Sequence, residues 1–398
     1  MLKHFLVSIL VVMSCLTLSA CGTEDTSTRL TVWVNQDSEE ITKEMIKEFE
    51  ALYPETDFNI KLEFVSEADS KTLILQDLDG AADIYSFASD HLVDLKTAGA
   101  LAQIGGTNKE DVLARDVASS VSAATIDGGL YAYPMTADNG YFMYYDKSVY
   151  TTDESLATLD SMIQTAKENN KSVLFDLGNG FYTASFLFAN GATMDTESAT
   201  FDKHVIEALD KYAQIAADAT STNVTGLVDD GEVYVANNLK ADGTLSAYVS
   251  GTWSASTIQE NLGDNYGVMK LPTIIVDGEE KQLASFAGFK YFGVKAGCDN
   301  PVEAHALANF LSNEENQLKR FEEQGYGPSN IEVMASDAVQ ADEALTALGE
   351  QLAVAGIPQI NVPGLFWDSC SALLASLKSD DKGSYESILQ SFNTSIYG

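Results

Sequence analysis

The stretch GLYAYPMTADNGYFMYYDKSVY, Gly129 to Tyr150, decides how the rest of the chain is organised. Leu130 to Met135 is ring-rich and alternating, and it reads as a strand in which Pro134 removes one ladder donor. Thr136-Ala137-Asp138-Asn139-Gly140 is a polar break with turn chemistry and a glycine free of Cβ sterics. A second apolar strand follows from Tyr141 to Tyr145, closed by Asp146-Lys147. Two strands joined by a short polar link can carry a chain from one lobe to another. A carboxylate on that link, Asp138, then faces whatever lies between the lobes. The stretch reads as a hinge.

On its N-terminal side the pattern is βαβαβ. Leu30 to Val34 (LTVWV) is an uncharged β-rich run suited to a central strand. Asn35-Gln36-Asp37-Ser38 leads into a helix in which Ile41, Met45, Ile46, Phe49 and Leu52 form one stripe, stopped by Pro54. Phe58 to Phe64 alternates as a strand, a helix follows near Ser70 to Leu78, and Asp83 to Phe87 is the next strand. This order predicts an α/β fold with a mainly parallel sheet and right-handed crossovers. Ligands of such sheets lie at the carboxyl ends of strands, which places Asp37, Phe87 and Asp90 on one rim.

Beyond the hinge, helices are expected over Leu156 to Asn169, Phe201 to Ala219, Leu345 to Val354 and Cys370 to Leu377. Strands are expected over Ser172 to Asp176, Leu245 to Val249 and Tyr266 to Leu271. Ser285 to Val294 alternates and gives a second crossing. Val302 to Leu311 and Glu314 to Glu323 read as helices returning to the first lobe, and a third crossing falls near 338–342. The lobes are then 30–136 with 290–338, and 137–289 with 339–398.

Met1 to Ala20 reads as a leader: Lys3 gives a basic start and Phe5 to Leu18 an apolar run too short to span a bilayer. It ends in Leu18-Ser19-Ala20-Cys21-Gly22, the order of a bacterial lipobox, with Cys21 as the acylated residue. The plainer alternative is an ordinary cleaved leader with an incidental cysteine. Residues 21–29 form a polar tether. The mature chain is thus expected on the outer face of the cell membrane, held by acyl chains on Cys21. Of the 4 cysteines, only Cys298 and Cys370 remain in the mature fold, and both are expected reduced.

The 398 residues carry a formal net charge of -36 and are 45% hydrophobic. Such a surface repels nucleic acid and anionic headgroups and disfavours a polyanionic ligand, leaving a neutral or cationic solute. No histidine spacing suits a metal, no Gly-x-Ser-x-Gly elbow appears, and no phosphate-binding loop is present, so no cofactor is expected. A glycosidase using a pair among Asp37, Asp90 and Asp138 remains as the enzymatic alternative. Each candidate also has a plainer role. Trp33 lies within a strand and reads as core; Trp253 follows Gly251 at a strand end, where a rim position and a packing role compete; Trp367 is open between core and platform; Asp37 and Asp90 can be helix caps.

Taken together, LTVWVNQD (30–37), ADIYSFASDHL (82–92), YAYPMTADNGYFMYYDK (131–147), LFDLGNGFYT (174–183), SGTWS (250–254), YGVMKLPT (266–273) and IPQINVPGLFW (357–367) resemble the solute-binding proteins of ABC importers, in the maltose and maltodextrin branch. The resemblance spans nearly the whole mature chain. It implies a two-lobed periplasmic-binding-protein-like fold with three hinge crossings and a monomeric, non-enzymatic receptor. That receptor hands an oligosaccharide to permease subunits in the membrane. It also implies Asp37, Asp90 and Asp138 as polar contacts, Trp253 and Trp367 as stacking platforms, Phe87 in place of a tryptophan, and Phe181-Tyr182 as the ring-bearing loop. His91 stands for an arginine, Asn179 for a glutamate and Ala184 for a tryptophan, and Asp138 is one methylene shorter than its counterpart. These departures imply altered subsites. A different oligosaccharide or a polyamine is the alternative ligand.

Overall fold

The computed structural model describes residues 27–217, 226–229, 238–360 and 362–398. The leader and Cys21 therefore lie outside the described residues. β1 (Thr28–Val34), β2 (Phe58–Phe64) and β3 (Ile84–Ala88) pair in parallel with β1 in the middle. The crossover helix α1 (Glu39–Leu52) buries Ile41, Met45, Ile46 and Phe49, the stripe that the spacing predicts. The second crossover, α2 (Glu67–Gln76), starts three residues earlier than its apolar pattern suggests, because the Ser66 side chain caps it by accepting from the Asp69 amide.

The link at 136–140 is not a break. β4 (Tyr133–Asn139) runs straight through it, held antiparallel against the long strand β10 (Ser285–Val294). Ladder pairing with a neighbour thus overrides the turn propensity of Thr-Ala-Asp-Asn. Only Gly140 and Tyr141 separate β4 from β5 (Phe142–Asp146), which belongs to the other sheet. That sheet sets β5 between β9 (Tyr266–Met269) and β8 (Leu245–Ser250), both antiparallel to it. β8 continues in parallel to β6 (Ser172–Leu174) and then β7 (Leu227–Val228).

The first sheet has the order β11-β10-β3-β1-β2, with β4 also on β10 and β11 spanning Gly356–Pro358. Both sheets are mixed, more so than a βαβ reading implies. Parallel pairs form where a helix carries the chain back over the sheet; β4 leaves directly for the other lobe, β10 returns from it, and the two pair antiparallel.

Three apolar clusters follow this layout. Leu30, Trp33, Tyr85, Tyr133, Tyr291 and Phe292 belong to the first core. Tyr141, Phe175, Phe186, Leu209, Phe286 and Phe366 belong to the second, flanked by Phe142, Tyr144, Tyr248 and Leu348 in a third. Tyr133 and Tyr141 thus lie in different cores on either side of one glycine, and β10 delivers Phe286 to one core and Phe292 to the other. Helix Glu343–Ala355 places Ala347 and Leu348 in the third cluster. Cys298 and Cys370 are free thiols buried in separate cores.

The two crossing strands nearly touch. A Cβ on Gly140 would lie 2.4 Å from the Phe286 carbonyl oxygen, and the Tyr141 amide donates to Ser285 Oγ at 2.8 Å. Gly140 is required for this close approach of backbones rather than for a turn.

Candidate functional site

Where β4 and β10 pass from one core to the other, rings gather on the second-lobe side. Asn179 caps α3 (Gly180–Leu187), accepting from the Phe181 amide at 3.0 Å, and so sets where that helix begins. Phe181 is half-buried and stacks on Phe286, with centroids 5.6 Å apart and planes at 20°. Trp253 lies 6.3 Å from Phe181, and Trp367 lies 5.6 Å from Phe286. One wholly buried ring on the crossing strand therefore supports Phe181 and Trp367 directly and Trp253 through Phe181.

Two of the expected ring contacts are placed elsewhere. Phe87 is fully buried in the first core, against Tyr85 and Tyr291 at 6.1 and 5.8 Å. All five residues of β3 are buried, because the sheet is covered on both faces, and the ring expected at the rim is a packing residue. Tyr182 is also core, edge-on to Tyr141 at 5.2 Å; neighbours on a helix point about 100° apart, so only Phe181 of the pair stays half-exposed. Trp33 is buried as its strand position predicts, its Nε1 donating to Glu63 Oε2 at 2.7 Å.

The carboxylates divide by environment. Asp138 is 1% exposed, and its Oδ2 accepts from Thr252 Oγ1 at 2.6 Å and from the Gly327 amide at 2.7 Å. It ties the turn before Trp253 to the loop after helix Glu314–Gln324. Its Oδ1 is buried with no hydrogen-bond partner among the described residues. Asp90 is buried and caps no helix; its Oδ1 accepts from Gln359 Nε2 at 2.9 Å. Gln359 also accepts from Asn139 Nδ2 at 2.6 Å and, through its carbonyl, from Ser89 Oγ at 2.8 Å. This one amide joins the rim after β3 to the first crossing.

Asp37 is exposed in a short 3-10 turn, Gln36–Ser38, capped by Asn35 rather than by Asp37 itself. His91 is buried, with Nε2 3.6 Å from Asp90 Oδ2 and Nδ1 unpartnered among the described residues. Burial pushes its imidazole below the usual histidine range, with Asp90 opposing. Asn179 is exposed and serves the cap. No group of three His, Cys, Asp or Glu side chains among the described residues is arranged to hold a metal ion.

Sequence reasoning missed Lys290, Tyr326, Thr252 and Gln359. Lys290 is 6% exposed, and its Nζ lies 5.2 Å from the Trp253 ring centroid and 4.7 Å from that of Tyr326. Burial lowers the affinity of its ammonium for the proton, but Tyr326, Glu67, Asp138 and Asp37 reverse this, and the net shift is upward. Its signal in the sequence is a single charge inside an otherwise apolar crossing strand, SFAGFKYFGV. The arrangement is a ring wall on one side and buried acceptors with one ammonium on the other. It can hold a solute with both apolar faces and hydroxyl edges.

Known proteins are similar to this chain in sequence and fold. The galactooligosaccharide-binding protein of Bacillus subtilis is 25% identical over 92% of this chain and 91% of its own length. The maltotriose-binding protein of Pyrococcus abyssi is 21% identical over 94% and 82% respectively. A structure determined with acarbose matches with a TM-score of 0.83 at 28% identity, covering 93% of this chain and 99% of that one. The Thermus thermophilus maltotriose-binding protein, bound with maltotriose, shares the fold with a TM-score of 0.75 at 19% identity over 92% and 99%. The family described as bacterial extracellular solute-binding protein matches residues 44–347, from within α1 through both crossing strands and into helix Glu343–Ala355. With the two-lobed fold that these proteins share, this match makes the chain a member of the bacterial extracellular solute-binding proteins.

Proposed function

We propose that the protein captures a neutral oligosaccharide of the maltodextrin kind between its lobes and delivers it, uncleaved, to the membrane subunits of an ABC importer. The lobes are 30–136 with 290–338, and 137–289 with 339–398, and the chain is a monomer anchored outside the cell by acyl chains on Cys21. The observation that carries this reading is the ring wall of Phe181, Trp253 and Trp367 raised on Phe286, bordered by Asp138. Half-buried rings suit the C–H faces of pyranoses, and carboxylate oxygens suit their hydroxyls. The names of relatives that bind maltotriose point the same way.

Galacto-oligosaccharide is the second reading, favoured by the Bacillus subtilis relative. Catalysis is disfavoured because one oxygen of Asp138 and one of Asp90 are already engaged by structural donors. The test is tryptophan fluorescence of residues 23–398 on adding maltotriose, with chromatography of the sugar afterwards. A saturable change with intact sugar supports capture. Appearance of shorter sugars would replace this reading with hydrolysis.

A further inference from the structure

We propose that Lys290 reads the ligand directly, its ammonium donating to a hydroxyl of the saccharide that lies on Trp253. The assignment rests on the oligosaccharide reading and goes beyond it by naming a contact that lies outside the sequence landmarks.

Lys290 sits on β10 opposite Ala88 of β3 and Thr136 of β4, so three paired strands fix its backbone. Its side chain is more than nine-tenths buried, yet Nζ makes no hydrogen bond or ion pair with any described residue; it lies by the rings of Trp253 and Tyr326. An ammonium carries three donors, and holding it in a largely buried side chain is unfavourable unless those donors find acceptors. Trp253 belongs to the ring wall, so the ammonium points at the surface on which a pyranose lies.

Tyr326 is held equally firmly. Gln317 Oε1 accepts from the amides of Ser329 and Asn330, both at 2.7 Å, and Gly327 is bound to Asp138. Asp138 contributes to raising the proton affinity of Lys290, and its Oδ1 is a buried acceptor without a partner among the described residues. Lys290 brings a donor and Asp138 an acceptor, and one hydroxyl reaching both would accept from Lys290 while donating to Asp138. The charges around Nζ include Asp37, Glu67 and Asp138, so the ammonium does not make the site attractive to anions.

The test is calorimetric titration of residues 23–398 with maltose and with its monodeoxy derivatives, for the wild type, Lys290→Met and Lys290→Arg. Methionine keeps the buried volume and removes the donors, and arginine keeps a donor. The wild type should lose roughly 10- to 100-fold in affinity for one particular deoxy derivative. Lys290→Met should bind maltose weaker by a similar factor and no longer distinguish that derivative, whereas Lys290→Arg should regain part of the discrimination. Unchanged maltose affinity in Lys290→Met would overturn the assignment while leaving the saccharide reading intact. A uniform loss across all derivatives with the wild-type pattern retained would also overturn it, making Lys290 a structural contact between the lobes. A wild type silent toward maltose and every derivative would overturn the maltodextrin reading and this assignment together.

Discussion

At Gly251 an added Cβ would lie 2.1 Å from the six-membered ring of Trp253, so the indole occupies its place only because residue 251 has no side chain. Gly251→Ala should displace the indole and weaken sugar binding, with the wild-type melting temperature nearly kept. Trp253→Ala should weaken binding by at least roughly 30-fold, as expected for a central aromatic anchor. Because Trp253 is only half-buried, loss of the fold with affinity retained would assign it to packing instead. His91 and His305 are both held below the ordinary 6.5 by burial. A histidine depressed on folding takes its proton more readily in the unfolded chain, so the stability it contributes is present above about pH 6.5 and is lost as pH falls below it. The urea midpoint should therefore drop between pH 7 and pH 5, and His91→Gln with His305→Gln should flatten that slope. At this scale the settings of Trp253, Trp367, Asp90 and Asp138, beside a strand end, a proline or a link, were legible in the sequence, whereas their part in binding is proposed. Phe87 was not, since one rim position and one buried position look alike when the whole strand is apolar.

The element that organises the site is the pair of crossing strands. Gly140 faces backbone, the Phe286 carbonyl oxygen, which cannot rotate away. Gly140→Val should therefore cost about 1–3 kcal/mol in urea unfolding and weaken sugar binding as well, because Phe286 supports the ring wall. Gln359 joins Asp90, Ser89 and Asn139, and Gln359→Leu would leave the Asp90 and Asn139 side chains without this partner. It should destabilise the fold by about 1–3 kcal/mol for each buried group left unpaired. An unchanged urea midpoint would show that the amide is dispensable. The crossing itself was legible as two ring-rich strands around a polar link. The strand running through that link was not, because its partner β10 lies about 150 residues away and no local pattern reports it. Lys290 escaped for the same reason: a lone charge in a strand gains meaning only when Trp253 and Tyr326 are brought beside it.

Among the described residues, three apolar clusters lie about the two large sheets, and β4 and β10 run between the first core and the second. This is the condition for closure about a ligand that touches both lobes. Ligand shifts such an equilibrium only by its better contacts in the closed form, so small-angle scattering should show a smaller radius of gyration with maltotriose than without it. The acidic surface, with a formal net charge of -36, gives no electrostatic hold on anionic lipid. Replacing Cys21 with serine should accordingly release the protein into the medium, and continued retention on cells would remove the acyl anchor from the account. The two-lobed class was legible from strand and helix order, whereas the reach of β10 from one core to the other required the three-dimensional register. The most direct test of the central claim is calorimetric titration of residues 23–398 with maltose, maltotriose, longer α-glucans, galacto-oligosaccharides and xylo-oligosaccharides. The account predicts saturable one-to-one binding of an α-glucan recovered intact, and no heat from any of these sugars would contradict it.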